Sequence, residues 1–219
     1  MKSNPKEIIK IAGGLEEHGV VTGNFYDKYG SRNPIVRRIM KGFHGALSEL
    51  VDIANPNSIH EVGCGEGYWV IRWNKQGRLA RGTDFSEQVI VIAKNNAIAT
   101  GVDPSFFDQR SIYEVSSLSD SAELVVCCEV LEHLEDPNAA LEALTRIVSK
   151  HIILSVPREP LWCTLNMVRG RYLTNLGNTP GHIQHWGKKD FLGLVSNFFD
   201  IKAVRSPLPW TMVLASRRA

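Results

Sequence analysis

Apolar residues along this chain fall into short runs set between stretches of helix-like spacing, and glycine, proline, serine and aspartate mark the breaks. Ser58 to Val62 reads as a first strand, helix-like sequence follows from Tyr68 to Trp73, and a second strand ends at Asp84. Ser86 offers a side-chain oxygen to the free N–H groups of a helix that runs to about Thr100, where Gly101 ends it. Phe106 and Phe107 lie in a short third strand. Leu124 to Cys128 is apolar without alternation, as a central strand covered on both faces requires. Asp136 and Pro137 open another helix as cap and first residue. His151 to Val156 forms a fifth strand stopped by Pro157, Lys188 to Phe198 is helical, and Ile201–Arg205 with Thr211–Ser216 close the pattern as a strand pair. Such alternation of strand and helix calls for an open parallel sheet. Residues 1–23 are expected to be a mobile entry segment, because Gly13, Gly14 and Gly19 interrupt them, with one domain over residues 24–219.

The break after the first strand carries the chemistry. It reads Glu61-Val62-Gly63-Cys64-Gly65-Glu66-Gly67, with glycines at alternate positions. Glycine has no Cβ, so a ligand can lie against bare backbone there, and the free N–H groups of the following helix point at whatever fills the turn. Asp84, at the end of the second strand, is placed to accept both hydroxyls of a ribose. Together these features describe a nucleoside pocket. A dinucleotide fingerprint needs G-x-G-x-x-G. Counting from Gly63 or from Gly65 puts Tyr68 or Val70 at the third position, and a phosphate-loop Lys-Ser/Thr pair is missing. An NAD-dependent oxidoreductase is therefore disfavoured.

The pattern E-x-G-x-G-x-G resembles motif I of the class I S-adenosylmethionine-dependent methyltransferases. A second segment, Glu123 to Pro137 with Glu129-Val130-Leu131-Glu132-His133 inside it, resembles the fourth-strand motif of the ubiquinone and menaquinone biosynthesis type. The resemblance covers about residues 24–156. It implies a doubly wound, Rossmann-like α/β domain with a seven-stranded, mostly parallel sheet and helices on both faces. It also implies that Glu61, Gly63, Cys64, Gly65 and Gly67 accommodate the methionine part of S-adenosylmethionine, and that Asp84, Phe85 and Ser86 hold the ribose. Ser111 and Ile112 then meet the adenine, although members often carry Asp at or near position 111. Glu129, Val130 and Leu131 lie beside the methionine end and the acceptor, and Tyr29 closes over the cofactor carboxylate.

Three residues stand out as candidates for catalysis. Glu129 follows an apolar strand at the sheet edge where ligands bind, which favours a functional acid over a merely solvated one. His133 is four residues on, so a helical turn would put both on one face, as general base or as packing residue. His185 lies in His182-Ile183-Gln184-His185-Trp186 and is a further candidate to meet the acceptor from the opposite side. A metal site would need more ligands at useful spacing than these histidines show, so no metal is expected. Cys64, Cys127 and Cys128 read as small buried side chains. Residues 158–189 are long for a connection between strand and helix. They carry Leu161, Trp162, Leu165 and Val168 at helical spacing, then Arg169 and Arg171. A lid over the acceptor is the reading preferred to an element resting on a membrane surface.

The length of 219 residues suits one α/β domain. A net charge of +2 and the lack of a basic stripe interleaved with aromatics disfavour nucleic acid as substrate. Four cysteines without paired metal spacing, and no signal-peptide core near Met1, point to a reduced, cytoplasmic setting. The function expected is methyl transfer to a small or amphiphilic metabolite, an oxygen acceptor preferred, with nitrogen and carbon open. The alternative is a non-catalytic S-adenosylmethionine-binding regulatory protein. The acceptor's identity and the oligomeric state are not legible.

Overall fold

The computed structural model of the chain describes residues 9–17, 20–24, 27–168, 176–179 and 181–218. Gly19, Arg169 and Arg171 lie outside them. Its centre is a seven-stranded sheet built from β3 (Ser58–Val62), β4 (Leu79–Asp84), β5 (Phe107–Gln109), β6 (Ala122–Cys128), β7 (Val148–Pro157), β8 (Phe199–Arg205) and β9 (Trp210–Arg217), in the order β5-β4-β3-β6-β7-β9-β8. The pairs from β5 through β7 are parallel, and β9 runs antiparallel between β7 and β8. The doubly wound, mostly parallel fold expected from the sequence is thus the fold observed.

Side chains leave the strands alternately for two cores, one on each face. On β6, Leu124 and Val126 join one cluster and Val125 and Cys127 the other, which is why that strand reads as an unbroken apolar run. Each fully buried side chain of this kind contributes on the order of 1.5–3 kcal/mol. The first face is covered by α1 (Pro34–Ala54), α2 (Tyr68–Lys75) and α3 (Glu87–Thr100), the second by α5 (Pro137–Ile147) and α7 (Lys188–Ser196), with the short α4 (Ser117–Asp120) beside them. Two caps read from the sequence are made: Ser86 accepts from the Val89 N–H, and Asp136 from the Ala139 N–H. The sequence reading had no helix before β3. Yet Asn33 caps α1 by accepting from Ile35 N, and Met40, Phe43, Leu47, Leu50 and Val51 recur on its buried side.

The described part of the entry segment, residues 9–17 and 20–24, makes specific contacts. β1 (Leu15–Glu17) and β2 (Val20–Thr22) form an antiparallel hairpin. The Glu66 carboxylate accepts from Ala12 N at 2.9 Å and from Asn24 N and Nδ2 at 2.6 and 2.5 Å. The Asn96 side chain exchanges hydrogen bonds with the Lys10 backbone, and Ser86 Oγ donates to Glu17 at 2.5 Å. A segment held at four points is a strap across α3 and the glycine turn. These partners lie far away along the chain from the segment they hold.

The chain leaves β3 toward β4 and β5, then returns to place β6 on the other side of β3. Ligands of open α/β sheets bind at the carboxyl ends of strands where the winding reverses. The ends of β3 and β6 meet there: a Cβ on Gly63 would stand 2.3 Å from Val130 Cγ2.

Candidate active site

The glycine turn is fixed from below. Gly63 N and Cys64 N both donate to Thr83 O, at 2.7 and 3.0 Å, and Asp84 accepts from Gly65 N at 3.0 Å and Ser86 N at 3.1 Å. Gly63 and Gly65 hold φ of +78° and +53°, where a side chain is strained. Nothing lies within 4 Å of where a Gly65 Cβ would be. Open space above a strained, rigid backbone is what a ligand pressed onto that backbone needs. Burial raises the Asp84 carboxyl, against the opposing N–H bonds from Ser86 and Gly65. Glu61 is buried too, and its Oε2 has no hydrogen-bond partner among the described residues. Burial first, and then Asp84, holds its pKa well above the ordinary range. An orphaned buried acceptor beside this turn fits a cofactor bearing an ammonium group.

The other expected cofactor residues surround the turn. Tyr29 stacks on Tyr68 with centroids 3.8 Å apart, and the closeness of its hydroxyl to Glu61 is felt in its raised pKa, second to burial. Phe85 is exposed beyond Asp84. Ser111 caps a single 3-10 turn, Ile112–Glu114, and Ile112 is buried in the second core. Cys64 packs against Gly82, and burial pushes its thiol well up, so it is a packing residue as read from the sequence.

At the end of β6 the chain turns sharply. Glu129 takes φ of +60°, uncommon for a side-chain-bearing residue and a sign of a position held for function. Its carboxylate accepts from Ser155 Oγ at 2.9 Å and from Trp210 Nε1 at 2.5 Å. Burial pushes its pKa up to about 7, against the pull of Lys28 and these two donors. Val130 seats on the glycine turn, and Leu131 is buried where a 3-10 turn through His133 begins.

Glu132 and His182 were not selected from the sequence. Glu132 is 1% exposed, and neither carboxylate oxygen has a hydrogen-bond partner among the described residues. Burial, and then Glu129, holds it well above the ordinary range. His133 Nδ1 lies 2.9 Å from Gly181 O, so that nitrogen carries the hydrogen and Nε2 is left as acceptor. His182 meets His133 edge to face at 4.9 Å, and burial together with His133 and His185 brings its pKa down to about 3. Glu132, His133 and His182 each offer a ligand atom, all within 4.8 Å of one another. That set is chemically able to hold a divalent cation, and Glu132 supplies the ligand that spacing alone did not reveal.

His185 does not sit opposite His133 as expected. The Glu132 carbonyl accepts from Ile183 N and Gln184 N, which turns His182 inward. His185 is left outside, with Nδ1 3.5 Å from Glu159 and near Cys163. The insertion does contain the expected helix, α6 (Leu161–Val168), and its Trp162 stacks on His182 at 5.8 Å. Arg158 and Trp186 bridge its two ends.

Residues 60–155 match the family model described as a methyltransferase domain. The ubiquinone biosynthesis O-methyltransferase of Aeromonas salmonicida is 25% identical over 121 residues, 54% of this chain and 51% of that protein. The chain thus spans about half the length of the first curated relatives it matches. Among solved structures, magnesium protoporphyrin IX methyltransferase from Synechocystis PCC 6803 with bound SAH aligns with a TM-score of 0.64 and 20% identity, covering 86% of this chain and 90% of that one. The PH0226 protein from Pyrococcus horikoshii aligns with a TM-score of 0.66 and 15% identity, over 89% and 95% of the two chains. Residues 60–155 are thus similar to the methyltransferase domain family, and the strand order, with the glycine turn and the acid at the end of β4, is the fold shared with these methyltransferase structures.

Proposed function

We propose that the protein transfers a methyl group from S-adenosylmethionine to an oxygen of a small or amphiphilic acceptor, with Glu129 as general base. The observation that carries this is the placement of Glu129: at the end of β6, with φ of +60° and its carboxylate held by Ser155 and Trp210, it adjoins the glycine turn through Val130, and its pKa is pushed up to about 7. Gly63, Gly65, Asp84, Glu61 and Tyr29 would hold the cofactor. Bound there, it supplies a methyl carbon on a positively charged sulfur, which keeps the bonding pair and leaves as a neutral thioether. The chain must then hold the acceptor in line and take its hydroxyl proton. His182, with its pKa near 3, is too weak a base, and burial holds the Glu132 carboxyl well above the ordinary range. Glu129, with its pKa of about 7, can take that proton, and Ser155 and Trp210 keep its carboxylate aimed. The described parts of the insertion, residues 158–168, 176–179 and 181–189, are the proposed cover over the acceptor. The O-methyltransferases among the relatives agree with an oxygen acceptor. The four cysteines are free, in keeping with a reducing, cytoplasmic setting.

The test is mass spectrometry of phenols, catechols and amphiphilic alcohols incubated with the protein and methyl-labelled cofactor. Labelled methyl ether should form, kcat/KM should rise with pH through about 7, and Glu129→Gln should lower turnover by roughly 10²–10⁴-fold. Tight cofactor binding with no label in any acceptor or cell extract would favour the non-catalytic alternative. One observation favours a second route for the proton, namely the unpartnered carboxylate of Glu132 beside His133 and His182. A divalent cation held there would favour the ionised acceptor. Turnover lost in chelator, restored by added metal and absent in His182→Ala would support that route. Full turnover in chelator would leave Glu129 to act alone.

A further inference from the structure

Beside the aromatic stack of Tyr29 and Tyr68, the first turns of α1 and the outer side of α2 enclose a cleft of about 440 Å³. Lys28, Arg37, Lys41 and Arg72 line it, and no carboxylate does. Four cations elsewhere on the protein have acidic partners: Arg78 has Asp52, Arg110 has Asp108 and Asp120, Lys150 has Glu123, and Arg205 has Glu49. Among the described residues, none of the four cleft cations has an acidic partner. Gathering like charges around a concave surface costs self-repulsion and focuses a positive potential inward.

Two further features make this a binding surface. His44 lines the cleft, and its Nε2 is buried with no hydrogen-bond partner among the described residues. Burial, then Arg72 and Lys28, hold that imidazole down to about 4, so a neutral ring with an unpartnered nitrogen stands at the cleft wall. Lys28 faces two ways, since its charge also weighs on Glu61, Glu129, Glu132 and His133. The cleft therefore adjoins the reacting centre. Arginines with their planar forks match phosphate oxygens two at a time, and the volume is ample for a phosphate or diphosphate.

We propose that this cleft binds a phosphate or diphosphate group carried by the methyl acceptor, so that the acceptor is a phosphorylated molecule reaching from Lys28, Arg37, Lys41 and Arg72 to Glu129. The acceptor part rests on the methyl-transfer reading, whereas the anion site does not. Phosphate binding is accordingly measured without turnover, by calorimetry and by the His44 side-chain NMR signal, with inorganic phosphate and pyrophosphate added to the full chain. The anions should bind saturably, more weakly as salt is raised. They should move the His44 pKa upward, because they offset Arg72 and Lys28. Arg37→Ala/Lys41→Ala, at two exposed positions, should lose at least tenfold in affinity. Glycerol phosphate and phosphatidylglycerol vesicles then separate a soluble phosphate ester from a lipid headgroup as the source, each compared with the double variant. Absence of saturable binding, or equal affinity in the folded double variant, overturns the proposal. Competition between pyrophosphate and S-adenosylhomocysteine also overturns it, by assigning the cleft to the cofactor's carboxylate. If no acceptor is ever methylated while pyrophosphate still binds, methyl transfer fails and the anion site stands.

Discussion

Replacing Glu129 by Gln should make the protein more stable at alkaline pH while removing its activity. The folded-state pKa of Glu129 is about 7, against 4.5 for an ordinary glutamate. Between these values the unfolded chain has released the proton and the folded chain has not, so stability falls as pH rises. The loss is about 1.4 kcal/mol per unit, or about 3 kcal/mol once pH passes 7. The exchange is nearly isosteric. Gln can accept from Trp210 Nε1 through its carbonyl and donate to Ser155 Oγ, whose hydroxyl turns to accept, so both hydrogen bonds persist. Urea unfolding of wild type and Glu129→Gln at pH 5.0 and 8.5 measures the effect. The variant should gain on wild type by roughly 2–3 kcal/mol between the two pH values. A stability difference that does not change with pH would refute an acid raised by burial, and with it the choice of base.

Other outcomes follow from the cofactor side. Asp84→Ala should weaken S-adenosylhomocysteine at least tenfold by calorimetry, since each charge-assisted hydrogen bond contributes ~1.5–3 kcal/mol; unchanged affinity in a folded variant places the ribose elsewhere. Gly63→Ala should destabilise by roughly 1–3 kcal/mol in urea, because its Cβ would meet Val130 Cγ2 at 2.3 Å. Adding Val130→Ala should recover part of that loss and leave the backbone strain at φ +78°. Glu66→Ala removes three acceptor bonds to the strap, and limited proteolysis should then cut residues 9–24 faster than in wild type.

What the sequence showed was chemistry confined to neighbours. The glycine turn, the acid at 84, the Ser86 cap and the Asp136-Pro137 helix start are local decisions, and each stands where it was expected. What it hid depends on partners distant along the chain. The strap was not legible because Glu66 and Asn96 do their holding from 42 to 86 residues away. His185 was chosen over His182 because the turn inward is set by the Glu132 carbonyl, not by the histidines. Glu132 lay in view within its motif, but only burial without a partner marks it out. Helix α1 was missed despite an Asn-Pro start that could have revealed it.

Trp210 joins three parts of the molecule. Its indole N–H ends on Glu129, while its ring meets Phe43 of α1 edge-on at 4.9 Å and Trp162 of α6 at 5.9 Å. One rigid plane cannot follow two helices independently. A displacement of either helix is therefore translated into the length and angle of a single hydrogen bond on the acid. Because that bond favours the ionised carboxylate, the packing of α1 and α6 on the indole helps to set the proton affinity of Glu129.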